Sequence, residues 1–145
     1  MEIIDIVSRI VHVATAITLV GGSVFMLLVL MPSAKILSEE SHDRLAEAVI
    51  GRWKKFVHLG VLLFLVSGFY NYVRMMPKRQ GDGLYHALVG IKILLALGVF
   101  FIAAALVGRS PALEGFRRKR AKWLTVLVAV AAVIVIISGY LKVSR

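Results

Sequence analysis

Residues 9–31 read RIVHVATAITLVGGSVFMLLVLM and carry no charged side chain after Arg9. A helix of this length and apolarity spans a bilayer, whose hydrocarbon core is about 30 Å thick and takes about 20 helical residues to cross. Charge-poor stretches recur along the chain, and we predict four transmembrane helices near residues 8–32, 55–75, 83–108 and 122–142. The predicted fold is an all-α integral membrane protein, one up-and-down four-helix bundle over residues 1–145.

Composition agrees with this fold. The chain is 59% hydrophobic and 18% charged, more apolar than a typical soluble domain. It has no cysteine, which excludes disulfides, iron–sulfur clusters and thiolate metal sites. A net charge of +10 would favour nucleic-acid binding in a soluble protein, but here the basic residues lie between apolar spans. We therefore predict contact with the lipid bilayer and no nucleic-acid partner.

The distribution of lysine and arginine predicts the orientation. Eleven of them lie in the two long connections: Lys35, Arg44, Arg52, Lys54, Lys55, Arg109, Arg117, Arg118, Lys119, Arg120 and Lys122. Six lie on the other side: Arg9, Arg74, Lys78, Arg79, Lys142 and Arg145. The positive-inside rule then places both long connections in the cytoplasm and both termini outside, in a bacterial-type inner membrane. Trp53 and Trp123 begin the second and fourth spans, as expected of an aromatic belt.

Two further patterns concern the organisation of the bundle. Residues 38–53, SEESHDRLAEAVIGRW, predict an amphipathic helix that either lies on the membrane surface or extends the second span. Residues 52–74 resemble residues 121–145, each with a basic entry containing tryptophan, an apolar run and a Ser-Gly-aromatic exit. This weak repeat is typical of two tandem helical hairpins, and convergence on the same packing solution explains it equally well.

Two histidines lie inside predicted spans. On a helical wheel His12 shares a face with small and polar residues, which points it into the bundle. The first and third spans are diagonal in an up-and-down bundle, so His12 and His86 would face each other as axial ligands of a haem b iron. The alternative is structural: His86 bonds Tyr85 or Asp82 at the interface, and His12 pairs with Asp5.

Lys92 is the one charged residue inside the third predicted span. It lies about 10 Å from the start of that span at 1.5 Å per residue, and an ionisable residue at such depth is a functional candidate. As a catalytic group it would transfer protons, and as a binding group it would pair with a carboxylate such as a haem propionate. The alternative is that its ammonium extends to the interface without a function.

Three features together resemble a known group of membrane proteins: His12, Gly21-Gly22 about ten residues later, and IKILLAL at residues 91–97. This pattern resembles the families of CopD-like copper-resistance proteins and HemJ-type protoporphyrinogen oxidases. The resemblance implies a small helical membrane bundle with a haem b site. For the HemJ type it implies oxidation of protoporphyrinogen, with His12 and Lys92 as the positions that carry over.

Three functions remain open. The leading hypothesis is a haem b protein in electron transfer or porphyrin oxidation, an oxidoreductase if it is an enzyme, with a membrane redox partner. The second is a copper-handling protein that uses His12, His86, Met75 and Met76. The third is a cofactor-free structural or assembly subunit whose small residues bind another membrane protein or a second copy. Those small residues are Ala96, Ala103, Ala129, Ala132 and Gly139.

Overall fold

The computed structural model describes residues 2–108 and 110–144, and every element in this part of the chain is helical. The α-helices are α1 (Glu2–Phe25), α2 (Met31–Ala34), α3 (Glu39–Met75), α4 (Gly83–Val107), α5 (Glu114–Arg118) and α6 (Arg120–Val143). A π-helical turn, Met26–Leu30, joins α1 to α2, and two 3₁₀ turns lie at Met76–Arg79 and Pro111–Leu113. The prediction of an all-α bundle is confirmed.

Four helical stretches are long and apolar enough to cross a membrane: Glu2–Ala34, Glu39–Arg79, Gly83–Val107 and Arg120–Val143. Large apolar side chains cover their outer surface, and Ile17, Phe69 and Leu94 are each about 70% exposed (69%, 71% and 71%). Such exposure is unfavourable in water and ordinary in lipid. The chain is thus a multi-pass membrane protein by the length and composition of its helices.

The ends of α3 and α4 follow from local chemistry. The Ser38 hydroxyl accepts a hydrogen bond from the Ser41 amide and caps α3. Because α3 is continuous for 37 residues, the predicted amphipathic segment is the first part of α3 and extends the second span. Gly81, at φ +83°, turns the chain in a conformation that favours glycine, and Asp82 caps α4 through the Tyr85 amide.

The four long helices form a closed ring of contacts. Helix α1 packs against α3, α3 against α4 and α4 against α6, while α6 returns to α1 and the π-helical turn. The first and third spans are therefore diagonal, as the up-and-down topology requires. Both long connections lie at one end of the bundle, which we call the connection end; the opposite, terminal end holds Glu2, the turn at residues 79–83 and Val143. Arg109 and Arg145, two residues of the charge count, lie outside the described part of the chain.

A seam of small and polar residues joins α1 to α3. Along α1 and along α3 its members are three, four or seven residues apart, which is the spacing of antiparallel helices in coiled-coil-like contact. The residues that meet are Asp5 with Tyr70 and Arg74, Ser8 with Asn71, His12 with Ser67, Leu19 with Gly60, and Gly22 with Trp53. Between α4 and α6, in contrast, the buried contact is apolar and contains Ile102, Leu106, Leu124 and Leu127.

Pro32 explains the π-helical turn. Proline has no amide hydrogen, and its ring crowds the carbonyl four residues earlier, here that of Leu28. The helix accommodates this by widening: the Met31 amide bonds the Met26 carbonyl, five residues back. The helix thus continues through Pro32 to Ala34 with an altered register.

The packing of Gly22 generates a stability prediction. A Cβ atom there would overlap the Trp53 ring, whereas a Cβ at Gly21 would meet nothing within 4 Å. We expect Gly22→Ala to lower the free energy of unfolding by about 1–3 kcal/mol, because the ring has to move. Gly21→Ala is the matched control, which we expect to be neutral or stabilising because alanine favours helix. Unfolding of both variants in detergent by denaturant titration measures the difference; equal effects would contradict the close packing.

Candidate functional site

His12 lies in the seam with its ring fixed against α3. Its Nδ1 atom is 3.1 Å from the Ser67 hydroxyl, and its ring centroid is 4.0 Å from that of Phe64. Gly68 leaves room for the ring edge, because a Cβ there would come within 3.3 Å of His12 Cε1. Ser67 is 5% exposed, so this contact is well inside the protein. The imidazole is therefore held on two sides.

The hydrogen bonds around Ser67 are compatible with a proton on His12 Nδ1. When the Ser67 hydroxyl donates its single hydrogen to the Phe64 carbonyl, at 3.3 Å, its oxygen accepts from His12. Assigned in this way, Nδ1 is the protonated nitrogen and Nε2 keeps a free lone pair. A histidine held at one nitrogen with the other open is the arrangement that metal-binding histidines show.

The seam continues toward the terminal end as a ladder of polar contacts. The Ser8 hydroxyl lies 3.1 Å from the Asn71 carbonyl oxygen and 3.4 Å from the Ser67 carbonyl. Asp5 accepts two hydrogen bonds from Arg74, each 3.0 Å long, and one from the Tyr70 hydroxyl at 2.8 Å. Asp5 thus pairs with α3, and the partner of His12 is Ser67.

His86 lies at the turn that precedes α4. Its Nε2 atom is 3.0 Å from the Arg79 carbonyl, and its ring packs edge-on against Tyr85 with centroids 5.4 Å apart. A carbonyl only accepts hydrogen bonds, so Nε2 carries the proton in this arrangement. In the described structure His86 therefore fastens the turn to the first turn of α4.

Helix positions give the depth of each candidate from the terminal end. Ser67, the partner of His12, is eight residues before the end of α3 at Met75, about 12 Å along the helix axis. Lys92 is nine residues after Gly83, about 13 Å along α4, whereas His86 is only three residues in, about 4–5 Å. His12 is thus at the depth of Lys92, and His86 is nearer the surface.

Lys92 and Arg9 are the charged groups that act electrostatically on His12. Lys92 is half-buried and forms no hydrogen bond or ion pair with another described residue. Its ammonium is therefore a charge inside the bundle whose partner is not among the described side chains. The two positions of the family resemblance, His12 and Lys92, are brought into one region by the fold.

The remaining candidates lie apart from His12. Met75 ends α3, and Met76 is 41% exposed in the following 3₁₀ turn. His58 is exposed, and His42 lies at the connection end, 3.8 Å from Asp43. Within residues 2–108 and 110–144 no group of three or more histidine, aspartate or glutamate side chains is placed to hold a metal ion.

Comparisons with protein-family models, with characterised proteins and with solved structures found no match. The resemblance to CopD-like and HemJ-type families thus stays a prediction. Functional arguments rest on the geometry of the side chains alone.

The His12–Ser67 contact predicts an energetic coupling. Removing either partner breaks this contact between two helices, and such bonds between membrane helices contribute about 0.6 kcal/mol on average and about 1.7 at most. We expect a double-mutant cycle of His12→Ala and Ser67→Ala, measured by unfolding in detergent, to give a coupling energy of about 0.5–1.5 kcal/mol. Ser138→Ala is the control, because Ser138 bonds only the Ile134 carbonyl of its own helix. A cycle of His12→Ala with Ser138→Ala should show no coupling, and an equal coupling in both cycles would contradict the contact.

Proposed function

We propose that the bundle binds a haem b or a related porphyrin beside His12, for electron transfer or for porphyrin oxidation of the protoporphyrinogen type. The observation that carries the proposal is the His12 imidazole, held against α3 by the contact of its Nδ1 atom with Ser67. With the proton on Nδ1, the Nε2 atom would be available as a ligand. A neutral imidazole nitrogen in an apolar helical bundle is the axial ligand that haem iron takes in such proteins. A bound haem would supply reversible one-electron chemistry.

Lys92 and Arg9 supply the charges that such a ligand needs. A haem carries two propionate carboxylates, and a carboxylate inside a membrane requires a cationic partner. Lys92 lies at the depth of His12 and forms no ion pair with another described residue. We assign Lys92 to a propionate or, in a porphyrin oxidase, to proton transfer from the substrate. Arg9, the other cation that acts electrostatically on His12, would pair with the second propionate.

The second iron ligand is less well supported by the geometry. For His86 to bind iron through Nε2 it would have to release the Arg79 carbonyl and reach a level about 8 Å deeper. We therefore assign iron ligation to His12. His86 keeps the turn together in the arrangement described, and the spectrum of His86→Ala decides whether His86 also ligates.

One observation favours a different function, that of a cofactor-free structural or assembly subunit. Asp5, Ser8 and His12 all have partners on α3, so the polar seam is explained without any ligand. Polar contacts of this kind join membrane helices in proteins that bind nothing. Copper handling through Met75 and Met76 is the further alternative, and metal analysis distinguishes it from both.

The proposal generates a spectroscopic prediction. We expect the purified protein, supplied with haem, to show reduced haem b bands after dithionite, and His12→Ala to abolish them because the ligand nitrogen is lost. Ser67→Ala should keep haem but shift the reduction potential, because the Nδ1 hydrogen bond raises the basicity of the ligand. Lys92→Gln should weaken haem affinity about tenfold through the lost propionate contact.

His86→Ala serves as the discriminating variant and His58→Ala as the matched control, since His58 is exposed on α3. Loss of the bands in His86→Ala would establish bis-histidine ligation, and their retention would leave His12 as the protein ligand. A wild-type protein that stays colourless with haem, or bands unchanged in His12→Ala, would refute the proposal. Copper found by metal analysis in such a colourless protein would support the copper alternative.

We propose that the connection end faces the cytoplasm of a bacterial-type inner membrane, with both termini outside. The support is the excess of lysine and arginine in the two long connections, eleven against six.

Because the natural chain has no cysteine, single cysteines report the topology without background. We expect a membrane-impermeant maleimide on spheroplasts to label Gln80→Cys and Ser144→Cys, which are exposed at the terminal end. Ser110→Cys, exposed in the second long connection, should react only after permeabilisation. The reverse pattern would overturn the orientation.

A further inference from the structure

A cavity of about 320 Å³ lies at the connection end, far from His12. Apolar side chains of four elements form most of its wall, among them Met26, Leu30, Val49, Trp53, Leu106 and Leu127. Its volume is at the lower limit of ligand pockets, which hold roughly 300–1,000 Å³. The apolar walls match a hydrocarbon chain.

Two arginines line this cavity without an ion pair to any described residue. The Nη2 atom of Arg117 donates to the Ser110 carbonyl at 2.7 Å, but its Nη1 atom is buried and has no hydrogen-bond partner among the described residues. Arg120 is half-buried, and the charges of Arg117 and Arg120 act on each other. Glu47 lines a neighbouring depression with both arginines but forms no ion pair with either in the described structure. A buried guanidinium nitrogen without a partner is costly, and an anionic oxygen would satisfy it.

The π-helical turn contributes a second, independent observation. Met26 and Leu30, its first and last residues, both face this cavity. π-helical turns widen a helix at a cost in hydrogen-bond geometry and occur frequently at functional sites. Here the widened turn forms part of the cavity wall. The path of the backbone therefore helps to shape the cavity, together with the side chains.

We propose that this cavity binds an anionic phospholipid of the surrounding bilayer, with one acyl chain between the apolar walls and the phosphate on Arg117 and Arg120. Guanidinium groups match phosphate oxygens in paired hydrogen bonds, and both arginines line the cavity. Trp53 lines the cavity, and tryptophan at a span end is typical of the level of lipid headgroups. The phosphate and the arginines would therefore meet at the same depth.

Trp53 also serves as the reporter for the test. In a Trp123→Phe background it is the single tryptophan, and a lipid with a brominated acyl chain quenches its fluorescence when the chain enters the cavity. We expect brominated phosphatidylglycerol, added to the protein in mild detergent, to quench with an apparent affinity at least tenfold higher than brominated phosphatidylcholine. Arg117→Gln and Arg120→Gln should each weaken the phosphatidylglycerol effect about tenfold.

Arg118→Gln is the matched control, since the Arg118 side chain is 75% exposed and pairs with Glu114 at 3.3 Å. We expect it to bind as the parent does. Equal quenching by the two lipids, equal losses in all three variants, or displacement of the lipid by inorganic phosphate would overturn the proposal. If a glutamine variant fails to fold, Arg120→Lys replaces it. A retained preference for phosphatidylglycerol over phosphatidylcholine supports a charge-dependent site, and loss of that preference although the positive charge is kept contradicts it.

Discussion

The contact between α1 and α3 is the interaction on which the rest of the bundle depends. In a bilayer the hydrophobic effect does not drive helices together, because lipid tails are as apolar as leucine. Helices associate instead through close packing and through polar groups that lipid cannot satisfy. The seam supplies both: the Gly60 backbone receives Leu19, and Asp5 bonds Arg74 and Tyr70 at the opposite end. The position of His12 is a consequence of this seam.

The same constraint explains why the two halves of the bundle differ. Helices α4 and α6 meet through apolar residues such as Ile102 and Leu127. Apolar packing has no preferred direction, so it fixes the register between two helices less strictly than hydrogen bonds do. A polar ladder is directional, because a shift of one residue would break every one of its bonds. The α1–α3 hairpin therefore has a defined register. The same contact fixes the imidazole ring of His12, on which Lys92 of α4 acts electrostatically.

The extent to which the sequence predicts this structure depends on whether a feature is local. Span number and the up-and-down order follow from charge and length, and the structure confirms the all-α bundle. Helical spacing places Ser67, Asn71 and Arg74 on one face of α3, but it does not give their partners on α1, because the register between two helices is a tertiary property. The depth of each residue in the bundle was also difficult to predict. The sequence predicts that His12 faces His86, whereas the structure places His12 at the same depth as Lys92. The cavity depends on residues of the π-helical turn, α3, α4 and α6, which are far apart in the sequence, so no local pattern predicts it.

The two ends of the bundle place opposite demands on their charged residues. At the terminal end, Asp5 neutralises Arg74 within the protein, and Lys92 lies deeper with no described partner. At the connection end Arg118 is neutralised by Glu114, whereas Arg117 has a buried nitrogen that no described residue pairs. In each region one cation is satisfied by a described residue and another is not. An uncompensated charge in an apolar region is costly, and each of the two proposals supplies an anion from outside the chain. The proposed anions differ, because Lys92 lies at the depth of His12 whereas the two arginines line an apolar cavity.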